Sequence, residues 1–254
     1  MSVIVTIALN TFRENRRDRV LYVLVIFAAL MILAGVVVSE LSPFEQSKIL
    51  LDLGQAAMLL VGALIAIFLG IGLVSKEIER RTVYVIVSKP VGRAQFLLGK
   101  VLGLVLTLTA ALSIMSLTLV GVVWVYGSTP TVAVFQSIVL LWTELVVLVS
   151  LSVTFATFTT TTLAAMFSLC SWIIGMAVGE FQTIGQRSGG LAKALLISLY
   201  WILPDLSVFD AKTRATYGIA LPAADFALSV GYGLAWTAAL LCIASVIFSR
   251  RDFR

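Results

Sequence analysis

The 254-residue chain is 60% hydrophobic and 12% charged, with 18 Lys and Arg residues against 13 Asp and Glu. A soluble domain usually has about 25% charged residues, so this composition indicates a protein that is embedded in lipid. The absence of histidine excludes a Ser-His-Asp triad, an HExxH zinc site and a His-ligated haem. Both cysteines, Cys170 and Cys242, lie in apolar runs and do not indicate a disulfide framework.

Residues 1–19 predict a helix on the membrane surface. Their apolar residues precede the arginines, which is the reverse of the order in a secretory signal peptide. Val3, Ile4, Ile7 and Ala8 can share one face of a helix, as in helices that lie in the interface between lipid and water. A frayed basic tail is the alternative interpretation of this segment.

Six apolar runs are long enough to be membrane-spanning helices. About 20 helical residues, at 1.5 Å each, cross about 30 Å of hydrocarbon, and helices satisfy their own backbone groups there. We therefore predict an all-α polytopic membrane protein with a single domain over residues 1–254. The predicted spans are Val20–Val38, Ala56–Val74, Leu97–Val125, Val132–Phe158, Leu163–Val178 and Phe226–Phe248.

The distribution of Lys and Arg predicts the orientation of these spans, because cytoplasmic loops carry the excess of positive charge. With both termini in the cytoplasm, that side holds Arg13, Arg16, Arg17, Arg19, Lys76, Arg80, Arg81, Lys89, Arg93, Lys100, Arg250, Arg251 and Arg254. The outer side then holds only Lys48, Arg187, Lys193, Lys212 and Arg214.

The segment SKEIERRTVYVIVSKPVGRAQFLLGK, residues 75–100, is the most charged internal stretch. SKEIERRT predicts a short helix, in which Glu77 precedes Arg81 by four residues in the favourable order. The apolar patch TVYVIV follows, and Pro90 ends it. An apolar patch outside the membrane favours a partner surface, so docking in the groove of a soluble protein is one interpretation. A positive anchor that only orients the chain is the other.

The chain has no G-x-x-x-x-G-K-[ST] motif for nucleotide phosphates. The nearest candidate, from Gly92 to Lys100, has the wrong spacing between its glycines, and Val101 stands where a hydroxyl would bind magnesium. We therefore expect this chain to bind no ATP, no other cofactor and no metal.

Two spans carry small residues at four-residue spacing, which allows helices to approach closely in lipid. These residues are Gly62, Ala66 and Gly70 in span two, and Ser171, Gly175 and Gly179 in span five. Span three opens with a similar pair, Gly99 and Gly103. Contacts within one chain and contacts between two chains are both compatible with this pattern.

Glu144 is an ionisable residue within span four. Such residues are costly at membrane depth, by about 2.5 kcal/mol or more, and usually face protein or water. One interpretation is a contact for substrate, protons or gating. The other is a structural glutamate, protonated or hydrogen-bonded, for which span-three hydroxyls are candidate partners: Thr107, Thr109, Ser113 and Ser116.

The end of span four is rich in hydroxyl side chains, at Ser150, Ser152, Thr154, Thr157 and residues 159–162. These hydroxyls can bond back to carbonyls of their own helix or line a polar cavity.

The long outer segment, residues 180–225, contains LAKALLISLYWILPD at residues 191–205. Its apolar part is too short to span a bilayer comfortably. We predict a re-entrant or interfacial outer helix. The alternative, a seventh span, would place the basic C-terminal residues outside.

The order of features in residues 76–100 resembles the signature region of ABC-2 type transporter permeases. In that family a Glu-rich segment is followed by Thr, an apolar stretch, Ser-x-Pro-Val-x-Arg and Gly-Lys, as in KEIERRTVYVIVSKPVGRAQFLLGK. Arg81 stands where members often have Gly. The resemblance extends over the whole chain and is nearest to the copper-enzyme maturation (NosY-like) permeases.

This resemblance implies an exporter permease in a bacterial or archaeal cytoplasmic membrane. A second permease chain, as in a homodimer, and two ABC ATPase subunits that carry ATP and Mg would be its partners, with no role for nucleic acid. Residues 75–96 would form the coupling loop, spans two and five would line the pathway, and the outer helices would form a gate. The residues that would contact the ATPase are Lys76, Glu77, Glu79, Arg80, Arg81 and Thr82.

Other functions fit part of the sequence. An ABC-type mechanotransmitter without cargo would share the coupling helix. An ion-coupled secondary transporter would rest on Glu144, but the chain lacks further intramembrane carboxylates and clearly broken helices in matched halves. An intramembrane enzyme is disfavoured, because the chain lacks histidine and paired intramembrane acids.

Overall fold

The apolar runs form a bundle of long α-helices in the computed structural model. The structure describes residues 3–16, 20–41, 45–79, 92–126, 129–187, 193, 196–198, 200–201 and 203–250. The helices are α1 (Val3–Arg16), α2 (Val20–Leu41), α3 (Gln46–Glu79), α4 (Arg93–Val125), α5 (Val132–Phe158), α6 (Thr161–Arg187), a 3₁₀ helix (Leu206–Phe209), α7 (Lys212–Thr216) and α8 (Ala223–Arg250).

Six of these helices, α2 to α6 and α8, are long and apolar enough to cross a membrane. This finding confirms the prediction of an all-α polytopic membrane protein. Their outward faces carry exposed aliphatic and aromatic side chains, such as Leu30 on α2 and Leu228 on α8. Lipid can cover such faces without cost, whereas water could not.

Consecutive long helices alternate in direction through the bundle, which gives it two distinct ends. We call the end where α3 stops and α4 starts the basic end, and the opposite one the far end. Because α1 packs against the first turns of α4, it lies at the basic end.

Helix α5 is the centre of the bundle and packs against α3, α4, α6 and α8. Sixty-seven per cent of its spanning residues are buried inside the chain, against 17% for α8. Glu144 therefore lies on the helix that is most enclosed by protein, which is where a membrane helix tolerates a polar side chain best.

Two described helices extend far beyond their predicted spans. Helix α3 begins at Gln46, ten residues before the predicted start at Ala56, and continues past Val74 to Glu79. No proline interrupts this stretch, so the backbone has no reason to leave the helix. Helix α6 likewise continues beyond Val178 to Arg187.

The far end of the bundle is covered by residues 203–216. The 3₁₀ helix packs against α6 and α5, and α7 packs against α3 and α5. Leu206 and Phe209 are each 2% exposed and fix this cover to the bundle. Within 191–201, the described residues 193, 196–198 and 200–201 are helical. None of the six spanning helices includes them.

Candidate functional site

The small residues of α3 face α5 of the same chain. A Cβ atom on Gly62 would lie 2.6 Å from Leu145 Cδ1, and one on Gly70 would lie 3.1 Å from the Val149 carbonyl oxygen. Ala66, between them, is fully buried. Of the two interpretations of this pattern, the structure supports contact within the chain at this face.

The small residues of α6 face the cover at the far end. A Cβ atom on Gly175 would approach Leu206, and one on Gly179 would approach Ser207 and Asp205. Ser171, one turn earlier, is also buried. Among the described residues, the atoms nearest to Gly175 and Gly179 therefore belong to residues 204–207.

The cover is held in place by hydrogen bonds as well as by packing. The Asp205 carboxylate accepts from the backbone N–H of Ser207 at 3.0 Å and so caps the 3₁₀ helix. The Asp205 backbone N–H donates to the Tyr232 hydroxyl on α8 at 2.8 Å. These contacts give Asp205 a structural role in joining the cover to α8.

At the basic end, α1 lies in a groove on α4 that is opened by Gly99 and Gly103. A Cβ atom on Gly103 would lie 2.7 Å from the Ala8 carbonyl oxygen, and one on Gly99 would lie 3.1 Å from the Ile4 carbonyl oxygen. Ala8 is 4% exposed. The apolar face predicted for α1 is therefore partly directed at protein.

The charged segment starts as the last turn of α3. Lys76, Glu77 and Glu79 are helical and continuous with the membrane-spanning part. The first part of the expected short helix is thus not a separate element. Arg80, Arg81 and Thr82 lie outside the described residues, as does the rest of the loop up to residue 91.

Glu144 is 4% exposed, and its carboxylate accepts a long hydrogen bond of 3.4 Å from Trp172 Nε1 on α6. The carboxylate is therefore hydrogen-bonded, but to Trp172 and not to one of the span-three hydroxyls considered as its partner. The hydroxyls of Thr107, Thr109 and Ser113 donate to carbonyls of their own helix, at 2.7–2.9 Å, and Ser116 has no partner among the described residues.

The hydroxyls near the end of α5 also turn back to their own helix. Ser150 and Ser152 donate to the carbonyls four residues earlier, and Thr157 donates to Thr154. Thr154 reaches the Leu240 carbonyl oxygen on α8 at 3.2 Å in addition. The carbonyl-bonding alternative thus holds for these residues, and Thr154 helps to join α5 to α8.

A cleft opens beside Glu144 where the cover meets the α3–α5 seam. It is lined by Gln55, Leu59, Ser137, Leu141, Glu144, Phe209, Asp210, Ala211 and Lys212. No pattern in the sequence groups Gln55, Trp172 and residues 209–212 with Glu144. They are separated by dozens of residues, and only their common position beside α5 connects them.

A family model described as ABC-2 family transporter protein matches residues 5–253. The chain belongs to this family. The match covers all six spanning helices, most of α1 and the cover, so membership applies to the whole architecture. No curated protein matches the chain.

ABC-2 family membership makes this chain the membrane-spanning transport component, because the matched family consists of permease subunits. The six apolar helices agree with that assignment. The resemblance of residues 76–100 to the family signature is therefore confirmed at the level of the family.

Proposed function

We propose that the chain is the permease subunit of an ATP-driven ABC-2 exporter, coupled through residues 75–96 to separate ATPase subunits. ATP and Mg would be bound by those subunits. The observation that carries the proposal is helix α3, which joins the face that packs on α5 to the charged residues Lys76, Glu77 and Glu79 in one unbroken helix. Motion applied at the basic end can therefore reach the bundle centre without passing through a flexible joint.

Helix α1 supports the same proposal. Its close packing on the first turns of α4 places its arginines at the end where α3 terminates. We propose that an ATPase docks on α1 and on the coupling loop, residues 75–96. In the proposed orientation this end is cytoplasmic, because it holds most of the positive charge.

A second permease chain is proposed to cover outward faces of α3 and α6. The face of α3 opposite its glycines exposes Leu60, Leu64 and Phe68, and α6 exposes Phe167 and Ile173. These two helices contact each other, so their exposed faces can contribute to one surface. The pathway would lie at this surface in the homodimer. The cover, residues 203–216, would serve as its outer gate.

The test is affinity purification of the tagged chain from its native membranes in mild detergent, with mass spectrometry of the proteins that accompany it. We expect a P-loop ATPase in stoichiometric amount. The double reversal Glu77→Arg with Arg81→Glu should remove it, because the docking surface would then present the wrong charges.

The matched control is the double reversal Glu45→Arg with Lys48→Glu at the far end. These two side chains form an exposed ion pair of 2.8 Å, so the change in charge is the same and the expected effect on the ATPase is none. A chain that purifies alone while other membrane complexes survive would contradict the proposal. Retention of the ATPase by the Glu77/Arg81 variant would show that these two residues are not part of the docking surface.

Two related functions are separated by transport measurements. A mechanotransmitter would couple to the ATPase but accumulate no cargo in proteoliposomes supplied with ATP. An ion-coupled carrier would transport without any ATPase and lose activity on Glu144→Gln, since Glu144 is the carboxylate on which that mechanism rests. ATP-dependent accumulation that survives Glu144→Gln would exclude the carrier.

A further inference from the structure

The cleft beside Glu144 is a polar site within an apolar bundle. Its inner walls are buried residues of α3 and α5 together with Phe209 and Ala211, whereas Asp210 and Lys212 stand at its mouth. The empty space in and around the cleft, with the open solvent at its mouth included, is about 240 Å³. The buried part admits roughly one group of the size of a water molecule.

Two side chains offer hydrogen-bond acceptors to this space, and a third does so once its amide is rotated. The Glu144 carboxylate is engaged only by the long bond from Trp172 among the described residues. The Ser137 hydroxyl uses its hydrogen on the Val134 carbonyl oxygen at 2.8 Å, so its lone pairs remain for a ligand.

Gln55 is the third of these side chains. It is 1% exposed, and its Nε2 atom has no hydrogen-bond partner among the described residues. Such a buried amide is expensive to leave unsatisfied. Rotation of the amide by 180° exchanges its nitrogen and oxygen with little change in shape, so Gln55 can present its oxygen to a donor that enters the cleft.

The charges around the cleft favour a cation. Lys212 Nζ lies 3.8 Å from Asp210 Oδ2. Its ion pair is therefore with Asp210, the other carboxylate of the lining. Of the three ionisable side chains in the lining, two are acidic and one is basic. Glu144 forms no salt bridge with a described residue, and Lys212 acts on it only as a charge at longer range.

We propose that this cleft binds a primary ammonium group, as the free ammonium ion or as the end of an amine, with Glu144 as its counter-ion. The N–H donors of the group match the acceptors on Glu144, Ser137 and Gln55, and its size matches the buried space. The remainder of an amine would extend past Asp210 and Lys212 toward the far end. The inference rests on the cleft alone and not on the identity of the transported cargo.

Lys212 sets the affinity of this site from its mouth. Its ammonium group repels an incoming cation. It is also the group of this chain that could compete with a ligand for Glu144. Removing its charge should therefore strengthen binding, whereas removing the charge of Glu144 should weaken it. These opposite signs separate a site for a cation from a general effect on folding.

The experiment measures equilibrium binding of radiolabelled methylammonium to the full-length chain in nanodiscs. The lipids are phosphatidylglycerol and phosphatidylcholine in HEPES buffer, so that neither lipid nor buffer contributes a primary amine. We expect saturable binding that Glu144→Gln weakens at least tenfold and Lys212→Gln strengthens severalfold. The matched control Asp225→Asn, an exposed acid in the first turn of α8, should leave it unchanged.

Competitors distinguish the sources of the ammonium group. If ammonium chloride competes and binds more tightly than methylammonium, the natural ligand is the free ammonium ion. If methylammonium binds more tightly than ammonium, the natural ligand is an amine. Tetramethylammonium has no N–H donors and should not compete.

Three outcomes would overturn the proposal: no saturable binding, equal affinity in the Glu144→Gln variant, or equal competition by sodium chloride. Gel filtration verifies that each variant is folded. If Glu144→Gln were to aggregate, Lys212→Gln would decide alone, since the Lys212 side chain is 23% exposed and its replacement leaves no buried gap. An unchanged or weaker affinity there would equally reject the site.

Discussion

Gly70 and Gly72 lie on the same helix two residues apart, yet their surroundings differ completely. A Cβ atom on Gly70 would lie 2.8 Å from Ser152 Cβ and 3.1 Å from a backbone oxygen of α5, whereas a Cβ atom on Gly72 would meet nothing within 4 Å. The four-residue spacing from Gly62 through Ala66 to Gly70 was visible in the sequence. The residues that occupy the opposite side of the contact were not.

The substitution Gly70→Ala should therefore destabilise the bundle, because α5 must move to admit the methyl group. Overpacking of this kind costs about 1–3 kcal/mol. Gly72→Ala, with the same chemical change, should leave stability unchanged or slightly higher. Thermal unfolding in detergent, followed by fluorescence-detected gel filtration, measures both. Equal melting temperatures for the two variants would show that α3 and α5 do not pack as described.

Glu144 shows the limits of prediction at this scale. Its position inside a span identified it as unusual, since an ionisable residue in an apolar run needs a partner. The sequence could not choose the partner, because Thr and Ser one helix away are as plausible as Trp172 on α6 until the helices are assembled. The observed hydrogen bond from Trp172 depends on the packing of α6 against α5.

At the scale of elements, α3 is the helix that joins the membrane-spanning bundle to the charged segment, residues 75–100. It contains 34 residues from Gln46 to Glu79, which at 1.5 Å per residue is about 50 Å and exceeds the hydrocarbon thickness. The hydropathy pattern alone placed its end at Val74, where the apolar residues stop. Helical structure continues beyond the change in polarity because the backbone meets no proline before Glu79.

The substitution Ser75→Pro should separate the charged end of α3 from the rest of the helix. Proline removes one backbone hydrogen bond and kinks the helix, at about 3 kcal/mol. We expect the melting temperature of the bundle core to change little, since Ser75 lies beyond the candidate span Gln46–Leu73. ATP-driven activity of the proposed complex should fall at least tenfold.

Ser75→Ala is the matched control, because it alters the same side chain and keeps the helix. It should retain activity in proteoliposomes loaded with the purified complex. Full activity of the Ser75→Pro variant would mean that coupling does not travel through a continuous α3, and the proposed lever would have to be abandoned.

At the scale of the whole molecule, the alternation of six spanning helices places α1 and the 79–93 connection at one end, and the cover at the other. The excess of Lys and Arg at the first end predicts that it is cytoplasmic. The bundle fixes which residues share an end, and the charge rule proposes which side of the membrane that end faces.

Cysteine labelling tests this orientation in a background with Cys170→Ala and Cys242→Ala. Thr129→Cys, at an exposed position between α4 and α5, should react with a membrane-impermeant maleimide in intact cells. Arg13→Cys, at an exposed position on α1, should react only after permeabilisation. The reverse pattern would place the basic end outside and contradict the proposed docking of an ATPase there.

The sequence by itself determined the membrane class, the number of spanning helices and the family. These properties depend on composition, run length and the order of a local motif, which are independent of how the helices meet. Residues 76–100 carried the family signature without any knowledge of their surroundings.

Only the tertiary structure decided which faces are in contact. It placed Gly62 and Gly70 against α5, Gly175 and Gly179 against the cover, and Gly99 and Gly103 against α1. It also brought Gln55 and Lys212 to Glu144. In lipid every outward face is apolar, so hydropathy cannot distinguish a face that meets lipid from one that meets a helix. Shape complementarity between assembled helices makes that distinction.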